Sequence, residues 1–445
     1  MSDLFCKTCG KSFSRKSALE QHQGRKNPCK APTKLLEAAA AAAVAQTGLV
    51  HLEIPTTEFR EVSKSFHTKF SKEQRQEEGI FFTPKKVRDL LFDTLDRLQV
   101  KPQRILEPSF GTGEFLLDAK RRYPEAELQG VEKNPDLAAS FKCPGVSTQA
   151  MDFLAYQGTA DCIVGNPPYF VLPSKSVDKE EWAQAFTGRP NIYVMFLLKC
   201  LKEHLTPDGI LAFILPTSLC NCSYYQPIRN FIEKHTTIRH LEFLDKPGFY
   251  ETDQPTMLLV LQKTKGNNDF LFRAPNGHVY ITPFATQLTE LTKEAKTLGS
   301  LGLAVKTGNV VWNQVKKNLT KDPGTLLIYA SNIKDNTLVL NNLKGTEKKQ
   351  YVKDLTKPTL SGPVLLVERG YGNAFHFNAV LTNIQDFYAE NHLNVVYPKT
   401  PQSAANLTKV LQSFQDKRTQ EFVKLFIGNG MMSATELETL LPVFV

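Results

Sequence analysis

Four consecutive residues, Asn166, Pro167, Pro168 and Tyr169, cut off the apolar run DCIVG that precedes them. Read as a turn they need no further role, because Asn-Pro and Pro-Pro punctuate many loops and proline cannot donate to a sheet ladder. Read as chemistry, they set an amide, a bare carbonyl and an aromatic face at the carboxyl end of a strand, where open α/β sheets hold their ligands. A stiff loop of this kind could hold something planar against that amide, carbonyl and aromatic face.

A second constellation opens the chain. In CKTCGKSFSRKSALEQHQGRKNPC, Cys6 and Cys9 stand in C-x-x-C spacing, with His22 and then Cys29 farther on. Two thiolates from a knuckle, an imidazole from a helix and one more thiolate complete a tetrahedron for zinc, and so short a module cannot fold on Phe13 and Leu19 alone. The stretch resembles a classical ββα zinc finger with Cys29 in place of the usual second His, and the longer gap from His22 to Cys29 departs from that pattern. A finger helix docked in the major groove would present Arg15, Ala18 and Gln21 to the bases, and one finger covers only about 3 base pairs. Contact with another protein is the alternative use.

The elements that must position these residues follow from the rest of the chain. KLLEAAAAAAVAQTG predicts a helical spacer, giving a linker over 31–50. From about residue 80, short apolar strands alternate with amphipathic helices in RILEP, ELQGVEKNP, CIVGNPPY and GILAFILP, which predicts an α/β domain with a parallel sheet. The length of 445 residues exceeds what one core supports. Charge is uneven: residues 1–34 carry 8 Lys/Arg against 2 Asp/Glu, residues 263–445 carry 21 against 14, and the centre is slightly acidic. Basic flanks around a near-neutral centre suit a nucleic-acid partner. No apolar run spans a bilayer and the start lacks a signal-peptide core, so an intracellular protein, cytoplasmic or nuclear, is expected. Cys143, Cys162, Cys200, Cys220 and Cys222 read as reduced core thiols.

Between strands lie residues suited to an adenosine-containing cofactor. Gly111 and Gly113 in LEPSFGTGEF permit a tight strand-to-helix turn and close backbone approach, although they spell neither a dinucleotide nor a phosphate-loop motif. Glu132 ends the next strand, where a carboxylate can accept both ribose hydroxyls. Asp152 and Phe153 offer an acceptor for an adenine amino group and an apolar face for its ring. Each alone is compatible with a turn or core residue.

In this order the motifs resemble the gamma class of adenine-N6 DNA methyltransferases. GIFFTPKKVRDLL is similar to that family's upstream cofactor motif, LEPSFGTGEF to its glycine motif and VGNPPYF to its catalytic motif. The resemblance implies a Rossmann-like catalytic domain over 51–265 that uses S-adenosylmethionine. Thr83, Glu107, Glu132, Asp152, Phe153 and Pro168 would line the cofactor site. The target, adenine N6, is a poor nucleophile because its lone pair is delocalised into the ring; the Asn166 side-chain oxygen and the Pro167 carbonyl would accept its two hydrogens and make it more tetrahedral, with no metal and no covalent intermediate. Tyr169 would stack on the flipped base, and Phe249, or failing it Tyr250, would wall it on the other side. Residues 266–445 resemble a target-recognition domain of mixed α+β structure, like those of single-chain restriction-modification enzymes. The segment before the catalytic domain is filled by finger and spacer, so a methyltransferase without its own nuclease is expected, acting as a monomer on double-stranded DNA with structural zinc. Arg369, Asn373, His392 and Asn394 are polar residues near aromatics that read either as base readers or as loop supports. The runs KEQRQEEG and TEKKQ read as solvated and are assigned no chemistry. The alternatives are an RNA or protein-glutamine N-methyltransferase, whose nitrogens pose the same problem, and a non-enzymatic zinc-finger nucleic-acid-binding protein.

Overall fold

A computed structural model describes residues 4–5, 12–13, 59–244, 249, 254–345, 347–370, 378–426 and 432–445. At the start, β1 (Leu4–Phe5) and β2 (Ser12–Phe13) pair antiparallel, Leu4 opposite Phe13 and Phe5 opposite Ser12. Cys6, Cys9, Arg15, Ala18, Gln21, His22, Cys29 and the 31–50 linker lie outside the described residues.

Two helices, α1 (Glu61–Lys69) and α2 (Lys72–Glu78), precede the catalytic domain's first long helix, α3 (Lys85–Arg97). The Ser71 hydroxyl caps α2, and Gly79 ends it in the left-handed conformation. The strand-and-helix alternation then emerges as expected: β3 (Arg104–Glu107), α4 (Glu114–Arg122), β4 (Glu127–Glu132), α5 (Pro135–Ser140), β5 (Val146–Ala150), β6 (Ala160–Gly165), α6 (Ile192–Lys199) and β7 (Leu205–Pro216). After α7 (Gln226–His235), β8 (Thr237–Leu244) and β9 (Thr256–Gln262) close a seven-stranded sheet of order β5-β4-β3-β6-β7-β9-β8. The first five strands in that order run parallel, while β9 is antiparallel to both β7 and β8. The sheet is therefore mixed, with an antiparallel edge.

Successive side chains on each strand point to opposite faces, which makes two cores from one sheet. Leu106, Ile163, Leu211 and Phe213 pack with α6 and α7 on one side. Ile105, Cys162, Val164, Ala212 and Ile214 pack with α3 and α4 on the other. Because both faces are covered, the central strands read as continuous apolar runs rather than alternating ones. The five cysteines among the described residues are free thiols, three of them, Cys162, Cys200 and Cys220, fully buried.

The chain passes into its second half through a hairpin, β10 (Leu271–Arg273) and β11 (Val279–Ile281). Leu271 pairs with Ile281 and Phe272 with Tyr280. The first pair packs on the catalytic core and the second on the C-terminal core, so one hairpin serves both. Arg229 on α7 fastens it from below. This guanidinium is 0% exposed and donates to the carbonyls of Val279 (2.6 Å), Leu219 (3.0 Å) and Cys222 (2.8 Å) and to Gln226 Oε1 (2.9 Å).

Beyond it, Leu303–Thr307, Leu393–Pro398, Val364–Glu368 and Ala379–Thr382 form, in that order, an antiparallel four-stranded sheet. A second four-stranded sheet orders Leu319–Thr320, Tyr351–Val352, Thr325–Ile328 and Phe387–Ala389, the last two parallel. Helices Ala285–Thr292, Asn406–Phe414, Lys417–Phe426 and Ala434–Thr439 cover the first sheet. No helix among the described residues is long and apolar enough to cross a membrane.

Candidate active site

The strand order reverses between β3 and β6, and the crevice at such a switch point is where doubly wound sheets take ligands. Glu107 ends β3 and Gly165 ends β6, so Asn166 emerges beside Glu107. A cavity of about 530 Å³ opens there. It gathers Gly111, Glu132, Asp152, Phe153, Asn166 and Pro168. A small adjoining recess adds Thr83 and Glu107 and shares Gly111 and Asn166 with it. Eight residues singled out in the sequence thus meet in one crevice.

The remaining candidates stand elsewhere. Gly113 has φ +78 at the start of α4, and a Cβ there would meet the Phe141 ring at 2.0 Å, so this glycine admits an aromatic ring rather than a ligand. Pro167 is buried within the loop. Tyr169 is half-buried, its ring edge-on to Tyr193 at 5.9 Å between centroids, and Phe170 rather than Tyr169 faces the large cavity. Phe249 does not join the site. It is 8% exposed and packed with Leu244, Leu258 and Val260 in the core on the α3 side, where no base can reach its face. Tyr250 lies outside the described residues, as does Asn373.

The electrostatics of the crevice are those of a site for a cation-bearing ligand. Glu132 accepts from the backbone N–H groups of Gly111 and Asn134, both at 2.8 Å, which fixes its carboxylate and leaves further lone pairs toward the cavity. Burial nevertheless raises its pKa above the ordinary carboxylate value, the backbone donors opposing. Asp152 is shifted the other way: burial works against its charge, but Lys133 at 2.8 Å and the Leu154 N–H at 2.9 Å outweigh it and lower the pKa. Glu107, 2% exposed, is driven well above the carboxylate range by burial and by nearby Glu114 and Glu132, with Arg88 opposing. Its Oε2 and the Ser109 hydroxyl are both buried without a hydrogen-bond partner. Buried polar atoms without a protein partner call for one from outside the chain, an ordered water or a ligand.

Sequence reading missed the ceiling of this cavity. Glu77 and Glu78 at the end of α2 line it, although KEQRQEEG reads as a solvated run. Gly79 sets their position, because α2 leaves no space between itself and the catalytic loop: a Cβ on Gly79 would come within 2.6 Å of Pro168 Cβ. The only sequence signal was the helix-ending glycine just before GIFFTP. Lys133 and Asn134 after β4 were also missed as lining residues.

Phe153 supplies a flat apolar wall backed by Phe196, Tyr156 and His204, at centroid distances of 4.8, 6.1 and 5.0 Å. Around Asn166, the amide Nδ2 donates to Thr83 Oγ1 at 3.1 Å, and the Tyr169 hydroxyl donates to Oδ1. That hydroxyl also lies 2.7 Å from the Ile214 carbonyl oxygen. In the C-terminal half, Asn394 is fully buried and donates to the Met432 carbonyl at 3.0 Å, while Arg369 donates to the Asn391 carbonyl at 3.0 Å, so both brace loops. His392 lies 3.4 Å from buried Glu390.

Comparison with known proteins identifies the family. A model of the N-6 DNA methylase family matches residues 59–138, and one of the Eco57I restriction-modification methylase matches residues 110–249. The modification methylase CviBIII of Paramecium bursaria Chlorella virus NC1A is 32% identical, over 87% of this chain and 99% of its own length. The type II methyltransferase M.CvrRI of Paramecium bursaria Chlorella virus XZ-6E is 30% identical, over 87% and 99%. Among solved structures, the DrdV–DNA complex aligns with a TM-score of 0.47 at 14% identity, covering 83% of this chain and 57% of that one. With its α/β fold and mixed central sheet, and with two relatives matched over nearly their whole length, the chain belongs to the N6-adenine family of DNA methyltransferases.

Proposed function

We propose that this chain is a gamma-class enzyme that methylates N6 of an adenine flipped out of double-stranded DNA, with Asn166 and the Pro167 carbonyl as the two acceptors for the amine. The observation that carries this reading is the place of Asn166, at the carboxyl end of β6 and on the wall shared by the cavity and its recess. S-adenosylmethionine, when bound, supplies a methyl group made electrophilic by its sulfonium. Glu132 holds the ribose hydroxyls, Asp152 the adenine amino group and Phe153 the adenine ring. The acidic crevice, and above all the unpartnered Glu107 Oε2, suits the cationic end of that cofactor. Thr83 and Asn166 lie at the inner end, Pro168 along the wall.

Asn166 and Pro167 do their work by orientation. Drawing both N6 hydrogens out of the base plane toward two fixed acceptors makes the nitrogen more tetrahedral, localises its lone pair and aims it, at no reorganisation cost during transfer. Extruding the base from the duplex costs a few kcal/mol, which DNA contacts elsewhere must supply. Residues 266–445, with 19 Lys/Arg against 14 Asp/Glu, take that role as the target-recognition domain. The burial of Phe249 leaves Tyr250 to wall the base opposite Tyr169. Residues 1–30 hold structural zinc on Cys6, Cys9, His22 and Cys29 and add a contact to DNA or to a partner protein; the paired dipeptides flanking positions 6–11 are what a finger's knuckle requires.

The direct test is mass spectrometry of nucleosides from unmethylated duplex DNA incubated with the protein and S-adenosylmethionine, with RNA in parallel. N6-methyladenine should appear in DNA and fall by roughly a hundredfold or more in Asn166→Ala. Methylation confined to RNA would sink the DNA reading while leaving the loop chemistry standing, and equal product from Asn166→Ala would remove Asn166 from the mechanism.

A further inference from the structure

The catalytic amide stands in a chain of hydrogen bonds that the stacking role of Tyr169 does not explain. Thr83 Oγ1 lies 3.1 Å from Asn166 Nδ2, Asn166 Oδ1 meets the Tyr169 hydroxyl, and that hydroxyl lies 2.7 Å from the carbonyl oxygen of Ile214 on β7. Thr83 is buried, and burial pushes the Tyr169 hydroxyl well above its ordinary pKa.

A tyrosine hydroxyl has one proton and here faces two acceptors. The chain therefore has two self-consistent directions. In one, Tyr169 gives its proton to Asn166 Oδ1 and the amide nitrogen donates to Thr83. In the other, Tyr169 gives its proton to Ile214, the amide is turned over to donate to Tyr169, and Thr83 donates to the amide oxygen. Only the first leaves a lone pair of Asn166 Oδ1 beside the Tyr169 hydroxyl for an incoming amine hydrogen. The second presents an N–H there, which repels an amino group. An asparagine without such neighbours adopts either orientation at similar cost, and half of its population would be unproductive.

We propose that Thr83 and the Tyr169 hydroxyl are positioning residues that hold the Asn166 amide beside the target amine in the first of these two directions, the one the structure carries. This rests on the reading of Asn166 as the acceptor. Tyr169 then acts on the amine through Asn166 rather than from the wall of the large cavity, which Phe170 lines. Thr83 belongs with the catalytic amide as much as with the cofactor recess.

The test uses the full chain, with unmethylated plasmid DNA and saturating S-adenosylmethionine, and compares Tyr169→Phe, Thr83→Val, Thr83→Ser and the Phe/Val double variant. Tyr169→Phe keeps the ring, so kcat should fall roughly tenfold to a hundredfold while KM for DNA and Kd for S-adenosylmethionine stay within about twofold. Thr83→Val should behave alike, and Thr83→Ser, which keeps the hydroxyl, should restore activity. The double variant should be little worse than the poorer single one, because both act through one amide. A Tyr169→Phe enzyme with wild-type kcat, or one impaired only in KM, would overturn the proposal and return Tyr169 to stacking alone. A Thr83→Val defect confined to cofactor Kd would overturn the part assigned to Thr83. Wild-type protein and Asn166→Ala run alongside: if those two do not differ, it is the reading of Asn166 that has failed and not the steering of it.

Discussion

At the scale of single residues, the crevice is governed by where charge is permitted. Glu107 has no partner for Oε2, and its pKa stands well above that of an unfolded glutamate, so the free protein holds it neutral at pH values where an unfolded chain would ionise it. The sign follows directly: this residue favours the fold below the ordinary carboxylate range and costs stability as pH climbs toward its raised pKa. A cationic ligand beside it reverses the preference. Binding of S-adenosylmethionine should therefore drive proton release, and tighten with rising pH, in the window above the ordinary carboxylate range. Calorimetry in buffers of different ionisation enthalpy should detect that proton, and Glu107→Gln should abolish it; an unchanged proton count in the variant would place the titration elsewhere. Part of this crevice was legible from residue type and order, since Gly111, Glu132, Asp152, Phe153 and Asn166 stand at or just beyond strand ends, whereas Thr83, Glu107 and Pro168 followed only from the family resemblance. Phe249 was not, because a lone aromatic beyond a strand gives no sign of which sheet face will bury it.

At the scale of elements, the closest fit in the site is between the end of α2 and the catalytic loop. Gly79 at φ +67 lies against Pro168 and Phe170, where a Cβ would stand 2.6 and 3.0 Å away. Gly277 at φ +80 has the same backbone conformation and nothing within 4 Å. The pair separates backbone strain from collision. Gly277→Ala should lose about 1 kcal/mol and keep full activity. Gly79→Ala should lose about 2–4 kcal/mol, since overpacking adds to strain, and should slow methyl transfer by moving Pro168. Thermal unfolding and single-turnover rates read both, and matching behaviour of the two variants would show that α2 does not set the loop. The strands themselves were readable as apolar bursts ended by Pro, Gly or Glu. The closure of the cavity by Glu77 and Glu78 was not, because α2 looks from its own residues like any solvated helix, and only its packing over NPPY gives two of its carboxylates a ligand to face.

At the scale of the whole molecule, chemistry sits in a near-neutral body between basic flanks. Among the described residues the apolar clusters fall between residues 59 and 443. The full chain should bind roughly one zinc, and Cys9→Ser should lose it while cofactor binding is unchanged. Elemental analysis beside calorimetry checks this. Zinc-free wild-type protein, or a cysteine variant that keeps its zinc, would reject the finger. The joint between the two large bodies has a different kind of consequence. Residues 271–281 form one hairpin with a face in each core, and Arg229 holds it through the main-chain carbonyl of Val279, a contact indifferent to side chain but not to register. A lineage that trades recognition modules by recombination therefore has no clean seam at residue 265, where composition suggests one. Its crossover belongs after Ile281, so that the hairpin travels with the catalytic body that grips it and only the Phe272 and Tyr280 face must find a new neighbour.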